Sequence, residues 1–305
     1  MSTLRILTLS DFHIGNKRTS YIEQNRLESI SNYILARYGH YDEKPVIVVT
    51  GDLTENGFHS EFKIVKKIFS DPLKDFTILY SPGNHDSGRL GNLANTGYVD
   101  KFKKYFNQEF PYYKIIDGHL FIALDSMKGE IGKDQGMFAD GEMGFDQRNW
   151  LRNTLKDIKP PLSYHKTIVF FHHHPLDFVV GNSSGGFFSR LTFRLKVMWR
   201  KRFDKYFHGL DDHRKLMKLL KNRANIVFFG HRHTPVDFSE FSNSNYNIGN
   251  MICVGKSTKK SCVYKCDPDY NFSKGKEVIE NCGWLTEIQE GVVSTTPLKF
   301  KHYPS

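Results

Sequence analysis

The sequence predicts an α/β fold in which helices cover a largely parallel β-sheet. Six apolar runs have the length of strands, and segments with the apolar spacing of helices lie between them. The runs do not alternate apolar with polar residues, which is typical of strands that are covered on both faces. Alternating strands and helices of this kind favour a sheet layered by helices.

The predicted elements follow one another along the first 235 residues. The six strands are Leu4 to Leu9, Val46 to Val49, Phe76 to Tyr80, Leu120 to Leu124, Thr167 to Phe171 and Ile226 to Phe229. Helical spacing predicts helices from Leu27 to Tyr38, Phe58 to Phe69, Leu151 to Ile158 and Leu216 to Leu220. Asp117-Gly118 between apolar runs predicts an antiparallel hairpin.

Beyond Pro235 the helical spacing ends, and short apolar stretches stand among Ser, Asn, Lys and Gly residues. This pattern predicts a β-rich tail. We therefore expect a catalytic core at residues 1–240, with a basic and aromatic insertion at 177–210. Residues 241–305 then form a β-rich extension that completes or flanks this core.

Composition limits the class of protein. The 305 residues include 43 Lys and Arg against 33 Asp and Glu, a net charge of +10, and 39% are hydrophobic. This excludes a disordered chain, and no apolar run approaches the roughly 18 residues that a membrane span requires. With no recognisable export signal, we expect a soluble cytoplasmic protein whose four cysteines are reduced thiols.

Polar clusters follow five of the predicted strands. They are Asp11-Phe12-His13, Gly51-Asp52, Gly83-Asn84-His85-Asp86, His172-His173-His174 and Gly230-His231-Arg232-His233. Because the carboxyl ends of parallel strands share one edge of a sheet, these clusters should converge there. Carboxylates, an amide and imidazoles without Cys suit Mn, Fe, Zn or Co. So many ligands exceed the need of one ion, which predicts two ions that share a carboxylate.

In this order the five blocks resemble those of the calcineurin-like metallophosphoesterases. The resemblance covers about residues 4 to 235, and the blocks Gly51 to Gly57 and Gly83 to Asp86 are most similar to class III cyclic nucleotide and glycerophosphodiester phosphodiesterases. It implies a four-layer α/β/β/α sandwich with a dinuclear metal site at the carboxyl ends of the strands. It also implies the ligands: Asp11, His13 and His233 for the first metal, Asn84, His173 and His231 for the second, and Asp52 between them.

The histidine run requires a choice. In the family the ligand usually stands two residues before a proline, which selects His173. Neighbours at a strand end point to opposite sides, which disfavours His172 and His174 for the same metal.

Two residues of the third block have predicted catalytic roles. The family resemblance places His85 beside the metals as a non-ligand. Its ordinary pKa, about 6.5, suits proton donation to a leaving alkoxide. For Asp86 two roles stay open, since it either orients His85 or caps the following segment.

The leading hypothesis is a dinuclear phosphodiesterase that hydrolyses a small phosphodiester with a hydroxide activated between two metals. The alternatives are a phosphomonoesterase or pyrophosphatase acting on a lipid-linked or nucleotide substrate, and a nuclease, which the net charge permits. A non-catalytic scaffold is disfavoured, because no ligand position is missing and His85 is present.

Residues 187–207 carry seven Lys or Arg residues against one Asp. Three interpretations remain: a solvated helix face, a lid that binds an anionic substrate, and a surface for a membrane, another copy or nucleic acid. Under the lid hypothesis, Arg194 and Arg200 bind the non-reacting anionic part of the substrate.

Overall fold

The protein contains two β-sheets, as seen in a computed structural model that describes residues 3–15, 20–87, 97–127, 141–158, 165–176, 209–259, 261–269, 271–279 and 282–300. The first sheet consists of β1 (Leu4–Leu9), β2 (Val46–Thr50), β3 (Ile78–Ser81), β12 (Cys282–Gln289) and β13 (Val292–Lys299). Its order is β13-β12-β1-β2-β3. Strands β1, β2 and β3 are parallel, and β12 is antiparallel to both of its neighbours.

The second sheet has eight strands. They are β4 (Tyr112–Ile116), β5 (His119–Ala123), β6 (Thr167–Phe170), β7 (Ile226–Phe229), β8 (Val236–Asp237), β9 (Asn250–Cys253), β10 (Ser261–Cys266) and β11 (Phe272–Ile279). Their order is β11-β10-β8-β9-β7-β6-β5-β4, and β5, β6, β7 and β9 are parallel. The parallel strands at the centre of each sheet agree with the sequence prediction.

Six α-helices lie within the described residues. They are α1 (Ser20–Tyr38), α2 (His59–Val65), α3 (Tyr98–Phe106), α4 (Phe145–Asp157), α5 (His213–Leu220) and α6 (Ser239–Tyr246). Helix α2 continues into a π-helical turn at Lys66–Ser70. The sequence analysis missed α3, and it also missed α6, which lies beyond Pro235 in the predicted β-rich tail.

Alternate side chains of β5 show how the layers stack. Leu120 and Ile122 join one hydrophobic cluster with residues of α4 and α5. Phe121 and Ala123, which point to the opposite face, join a second cluster with the first sheet and α1. The layers therefore follow the order α4 and α5, second sheet, first sheet, α1. This confirms the predicted four-layer α/β/β/α sandwich.

The C-terminal segment contributes strands to both sheets. Strand β9 lies between β7 and β8 in the second sheet, and β12 pairs with β1 over the register from Leu4–Ile288 to Thr8–Trp284. The Trp284 side chain is almost fully buried, and its indole N–H donates to the Val254 carbonyl at 3.2 Å. Residues beyond 240 are thus part of the layers that hold the strand ends in place.

The predicted hairpin is present. Strands β4 and β5 are antiparallel, and the turn residues Asp117 and Gly118 have φ angles of 49° and 78°. Two consecutive positive φ angles define the tight turn that Asp-Gly favours. The four cysteines are free thiols. Within the described part of the chain, no helix combines the length and hydropathy that a membrane span requires.

Candidate metal centre

The polar clusters converge at the carboxyl ends of β1, β2, β3, β6 and β7. Five of their side chains stand on a left-handed backbone: Asp11 (φ 56°), His13 (φ 52°), Asp52 (φ 52°), His231 (φ 73°) and His233 (φ 54°). Non-glycine residues seldom adopt this conformation, which costs on the order of 1 kcal/mol or more and persists where the surroundings enforce it. The strand ends therefore turn sharply to aim these side chains at one place.

Glycine allows the loops to approach one another. A Cβ atom on Gly83 would lie 2.3 Å from Asp52 Oδ1, and one on Gly51 would lie 2.7 Å from His172 Nδ1. Both distances are shorter than any tolerable contact, so a side chain at either position would displace the residue beside it. This explains why the Gly-Asp and Gly-Asn-His-Asp blocks begin with glycine.

Half-site one consists of Asp11, His13, Asp52 and His233, whose ligand atoms lie within 4.8 Å of one another. The Nε2 atoms of His13 and His233 are 2.8 Å apart. Asp11 Oδ1 lies 3.3 Å from His233 Nε2, and Asp52 Oδ2 lies 3.5 Å from His13 Nε2. Two imidazole nitrogens and two carboxylates thus face one small space.

Half-site two consists of Asn84, Asp52, His172 and His231. His172 Nε2 lies 3.1 Å from Asn84 Oδ1, 3.2 Å from Asp52 Oδ2 and 3.2 Å from His231 Nδ1. His231 Nδ1 is also 3.0 Å from Asn84 Oδ1. Asp52 therefore belongs to both half-sites, as a shared carboxylate would.

The sequence-based choice of His173 disagrees with this geometry. The Nδ1 atom of His172 lies 2.7 Å from the Thr50 carbonyl, so its N–H donates there and Nε2 faces half-site two. His173 packs beside His231, and its Nδ1 lies 2.7 Å from Ser126 Oγ. In this structure His172 stands with Asp52 and His231, where the family spacing predicts His173.

His174 lies on the other side of the sheet. Its ring packs against Phe229 and Phe238 in the apolar cluster beneath α4 and α5. Burial, together with the nearby Arg232 guanidinium, holds the pKa of His174 well below its ordinary value. A neutral His174 ring among aromatic side chains is part of the core.

The carboxylates of the centre attract positive charge. Burial favours protonated Asp11, but the adjacent His13 and His233 rings outweigh burial and hold the pKa of Asp11 well below its usual range. Burial likewise favours neutral His13, but Asp11 and Glu55 raise its pKa to about 10. The Asp52 carboxylate similarly raises the pKa of buried His172 to about 9.

These residues fit a metal centre. The ligand set is nitrogen and oxygen without sulfur, which suits Mn, Fe, Zn or Co. Asp11 Oδ1 is buried and accepts no hydrogen bond from the described part of the chain. Hydrogen bonds from the opposite nitrogens of His13 and His172 fix the tautomers that leave both Nε2 atoms available.

Glu55 is the site residue that the sequence analysis missed. Its Oε2 atom lies 2.8 Å from His13 Nδ1 and 3.8 Å from His85 Nδ1. Burial alone would raise the pKa of Glu55, but the hydrogen bond with the His13 ring outweighs burial and lowers this pKa. Glu55 stands three residues after Asp52 in the second block, and this acidic residue beside a predicted ligand was the available signal.

His85 lies at the rim of the centre. Its backbone N–H donates to Asp52 Oδ1 at 2.9 Å, and its Nδ1 lies 2.9 Å from the Glu55 carbonyl, which can only accept. The Nδ1 proton is therefore fixed there. With 28% of the side chain exposed, Nε2 is directed away from this backbone contact.

Asp86 holds two loops together. Its Oδ1 accepts from the backbone N–H and the hydroxyl of Thr54, and its Oδ2 accepts from the Gly83 N–H, all at 3.0 Å. Burial and the nearby Asp52 carboxylate raise the pKa of Asp86 to about 6. The Asp86 oxygens thus join the second and third blocks, a contact that neither of the two predicted roles describes. The predicted Arg194 and Arg200 lie outside the described residues.

A two-sheet α/β sandwich whose strand ends gather histidines, carboxylates and an asparagine defines the metallophosphoesterase class. The sequence profile of the calcineurin-like phosphoesterases matches residues 4–235, and the chain belongs to this family.

One curated relative is the probable glycerophosphodiester phosphodiesterase GpdQ of Arcobacter nitrofigilis, which is 24% identical over 175 residues. The match covers 56% of this chain and 57% of the relative, so the chain spans little more than half of that protein's length.

Two solved structures share the fold. Purple acid phosphatase PPD1 from yellow lupin seeds has a TM-score of 0.60 at 14% identity, over 99% of this chain and 53% of that one. GAP50, the anchor in the inner membrane complex of Plasmodium, has a TM-score of 0.54 at 14% identity, over 99% of this chain and 86% of that one. At these identities the likeness concerns the fold alone.

Proposed function

We propose that the protein is a dinuclear metal-dependent phosphodiesterase that hydrolyses a small phosphodiester. The observation that carries the proposal is the position of Asp52. One of its carboxylate oxygens lies 3.5 Å from His13 Nε2 and 3.2 Å from His172 Nε2, between two groups of ligands. A carboxylate shared in this way is the requirement for two adjacent ions, and two ions are the usual apparatus for displacement at phosphorus.

The proposed ligands differ from the sequence-based set at one position. Asp11, His13 and His233 hold the first ion, Asn84, His172 and His231 hold the second, and Asp52 is shared. When bound, two such cations neutralise phosphate oxygens and lower the pKa of a water molecule. The chain itself fixes the ligand orientations, through Glu55 for His13 and the Thr50 carbonyl for His172.

His85 is the proposed proton donor to the leaving alkoxide. The Nδ1–H group of His85 donates a hydrogen bond to the Glu55 carbonyl. The other ring nitrogen, Nε2, is then the atom that exchanges a proton with the substrate. The backbone N–H of His85, bound to Asp52, fixes the distance of the ring from the centre. General acid catalysis of this kind contributes about 10²-fold to 10⁴-fold to turnover.

The preference for a diester is supported by the relative that is named a probable glycerophosphodiester phosphodiesterase. The substrate is an anionic phosphoester in either case, and the basic insertion at 187–207 is the proposed contact for its non-reacting part. Reversible contact of this insertion with membranes, with another copy or with nucleic acid remains the alternative proposal for the same residues. The cytoplasm is the proposed location.

The test is a substrate panel with Mn²⁺: bis(p-nitrophenyl) phosphate, p-nitrophenyl phosphate, cyclic nucleotides, glycerophosphodiesters and single-stranded DNA. The proposal predicts a higher kcat/KM for the small diesters than for the monoester, and no activity of Asp52→Ala on any of them. A monoester preference would favour the phosphatase, and activity confined to DNA would favour the nuclease.

A further inference from the structure

The loop that follows β9, residues 254–259, lies against the loop that carries Asp11 and His13. This β9 loop lies outside the segment that matches the family, residues 4–235. Ser257 and Thr258 in it are fully buried, as are Ser10 and Phe12 on the opposite side of the contact. The contact therefore excludes water, and each polar group in it depends on the other loop.

Three hydrogen bonds join the two loops. The Ser10 N–H donates to Ser257 Oγ at 2.9 Å, and the Ser257 N–H donates to the Ser10 carbonyl at 2.9 Å. The Thr258 hydroxyl donates to the Phe12 carbonyl at 3.2 Å. These bonds hold the backbone immediately before Asp11 and between Asp11 and His13.

This backbone needs support from both sides. Asp11 and His13 have φ angles of 56° and 52°, and such a conformation persists only where its surroundings enforce it. On the β2 side, the N–H groups of Asp11 and His13 donate to the Gly51 and Asp52 carbonyls, each at 3.0 Å. The β9 loop supplies the bonds on the opposite side.

The β9 loop is itself fixed to helix α1. The Lys256 ammonium donates to Glu23 Oε1 at 2.7 Å, and the Arg26 guanidinium donates to the Thr258 carbonyl at 2.6 Å. Both Glu23 and Lys256 have largely buried side chains, 5% and 11% exposed, so the pair is shielded from solvent. A shielded ion pair holds its partners more firmly than an exposed one.

We propose that Ser257 and Thr258 are positioning residues for half-site one, which set its metal affinity by enforcing the left-handed backbone at Asp11 and His13. The inference rests on the proposed metal centre. Their hydrogen bonds to the Asp11 loop go to Ser10 and Phe12, which are not among the proposed ligands. Substitution of residues that hold metal ligands in place typically lowers metal affinity about 10-fold to 100-fold.

The test measures Mn²⁺ affinity in separated half-sites. Asn84→Ala leaves half-site one to be titrated alone, and His233→Ala leaves half-site two. Ser257→Ala and Thr258→Val are then added to each background. Two matched controls, Ser242→Ala and Thr286→Val, remove buried hydroxyls elsewhere. The Ser242 hydroxyl donates to the Ser239 and Ile248 carbonyls, and the Thr286 hydroxyl bonds the Thr295 hydroxyl between β12 and β13.

The inference predicts that Ser257→Ala and Thr258→Val weaken Mn²⁺ binding about 10-fold or more at half-site one and leave half-site two unchanged. Thermal unfolding should show that the controls lower stability comparably without changing affinity at either half-site. The inference would be overturned if all four variants bound Mn²⁺ at half-site one as tightly as their parent. It would also be overturned if the controls lost as much Mn²⁺ affinity as the β9-loop variants at the same loss of stability. A parent chain that binds no Mn²⁺ would instead refute the proposed metal centre.

Discussion

One backbone contact orients the His172 ring towards half-site two. Its Nδ1–H donates to the Thr50 carbonyl at 2.7 Å, and this directs Nε2 to Asp52 and Asn84. We therefore expect His172→Ala to lose one Mn²⁺ per chain and nearly all turnover. His173→Ala removes a ring that bonds Ser126 and should retain both ions. Metal content measured by elemental analysis checks this, and the reverse pattern would restore His173 as the ligand.

The histidine run shows how far sequence reasoning reaches, because the sequence predicts His173 while the structure brings His172 beside Asp52 and Asn84. The strand-end position of the block was sufficient to place a histidine at the centre. The choice of ring depends on the strand's last turn, which the Thr50 carbonyl and Ser126 hydroxyl fix from distant parts of the chain. Glu55 was missed for the same reason, because its contact with His13 crosses 42 residues.

His85 should act on the leaving group alone. We expect His85→Ala to keep two Mn²⁺ and to lose about 10²-fold to 10⁴-fold in kcat for an alkoxide leaving group, with a smaller loss for nitrophenolate. The reason is that nitrophenolate leaves without a proton. Steady-state kinetics on a glycerophosphodiester and on bis(p-nitrophenyl) phosphate measure the difference.

The exposed His40 provides the control, since His40→Ala removes a histidine on the surface. It should leave both substrates unaffected. Equal losses for the two leaving groups in His85→Ala would assign His85 a positional role.

At the scale of elements, the β4–β5 hairpin contains a histidine that should make folding sensitive to acid. Burial and the nearby His165 lower the pKa of His119 to about 4, and His119 Nδ1 accepts from the Lys166 N–H at 3.0 Å. The unfolded chain binds this proton at about pH 6.5, so it holds more protons than the folded chain between these values. Stability is therefore lost as the pH falls from about 6.5 to 4.

The measurement compares urea unfolding of the parent and of His119→Asn, whose amide oxygen can accept the same N–H without titrating. We expect the variant to lose about 1 kcal/mol less than the parent between pH 6.5 and 4, after allowance for solvent screening. Parallel pH curves would show that His119 does not titrate in this range.

The basic insertion at 187–207 is the element whose role depends on the substrate. If it holds the non-reacting anionic part, Arg194→Glu with Arg200→Glu should raise KM for an anionic glycerophosphodiester. Hydrolysis of bis(p-nitrophenyl) phosphate, which lacks that part, should stay nearly unchanged. Steady-state kinetics on both substrates test this.

The matched control for net charge is charge reversal at two exposed residues, Arg152 in α4 and Arg223 after α5. The same KM change in this control would reduce the effect to long-range electrostatics. Equal responses of the two substrates would contradict the lid hypothesis, and liposome sedimentation would then examine the membrane alternative.

Prediction of the elements succeeded where spacing was regular. The β4–β5 hairpin followed from Asp117-Gly118, and the strand ends followed from uninterrupted apolar runs. Helix α6 was missed because Ser, Asn and Glu occupy most of it, so little apolar spacing is visible. Strand β12 was missed as a partner of β1 because pairing across 282 residues, as between Arg5 and Glu287, leaves no local signal.

At the scale of the whole molecule, the centre joins the two sheets. The loops after β1, β2 and β3 in the first sheet supply Asp11, His13, Asp52 and Asn84. The loops after β6 and β7 in the second sheet supply His172, His231 and His233. Under the proposed ligand assignment each half-site draws on both sheets, so we expect bound metal to stabilise the sandwich against separation of its layers.

The central claim is a pair of metal ions that share Asp52. Anomalous X-ray diffraction from crystals grown with Mn²⁺ tests it most directly, because the peaks locate the ions without reference to activity. We predict two peaks about 3.5 to 4 Å apart, one on either side of the Asp52 carboxylate, with His172 Nε2 bound to one of them. A single peak, or a second ion bound by His173 without Asp52, would contradict the account.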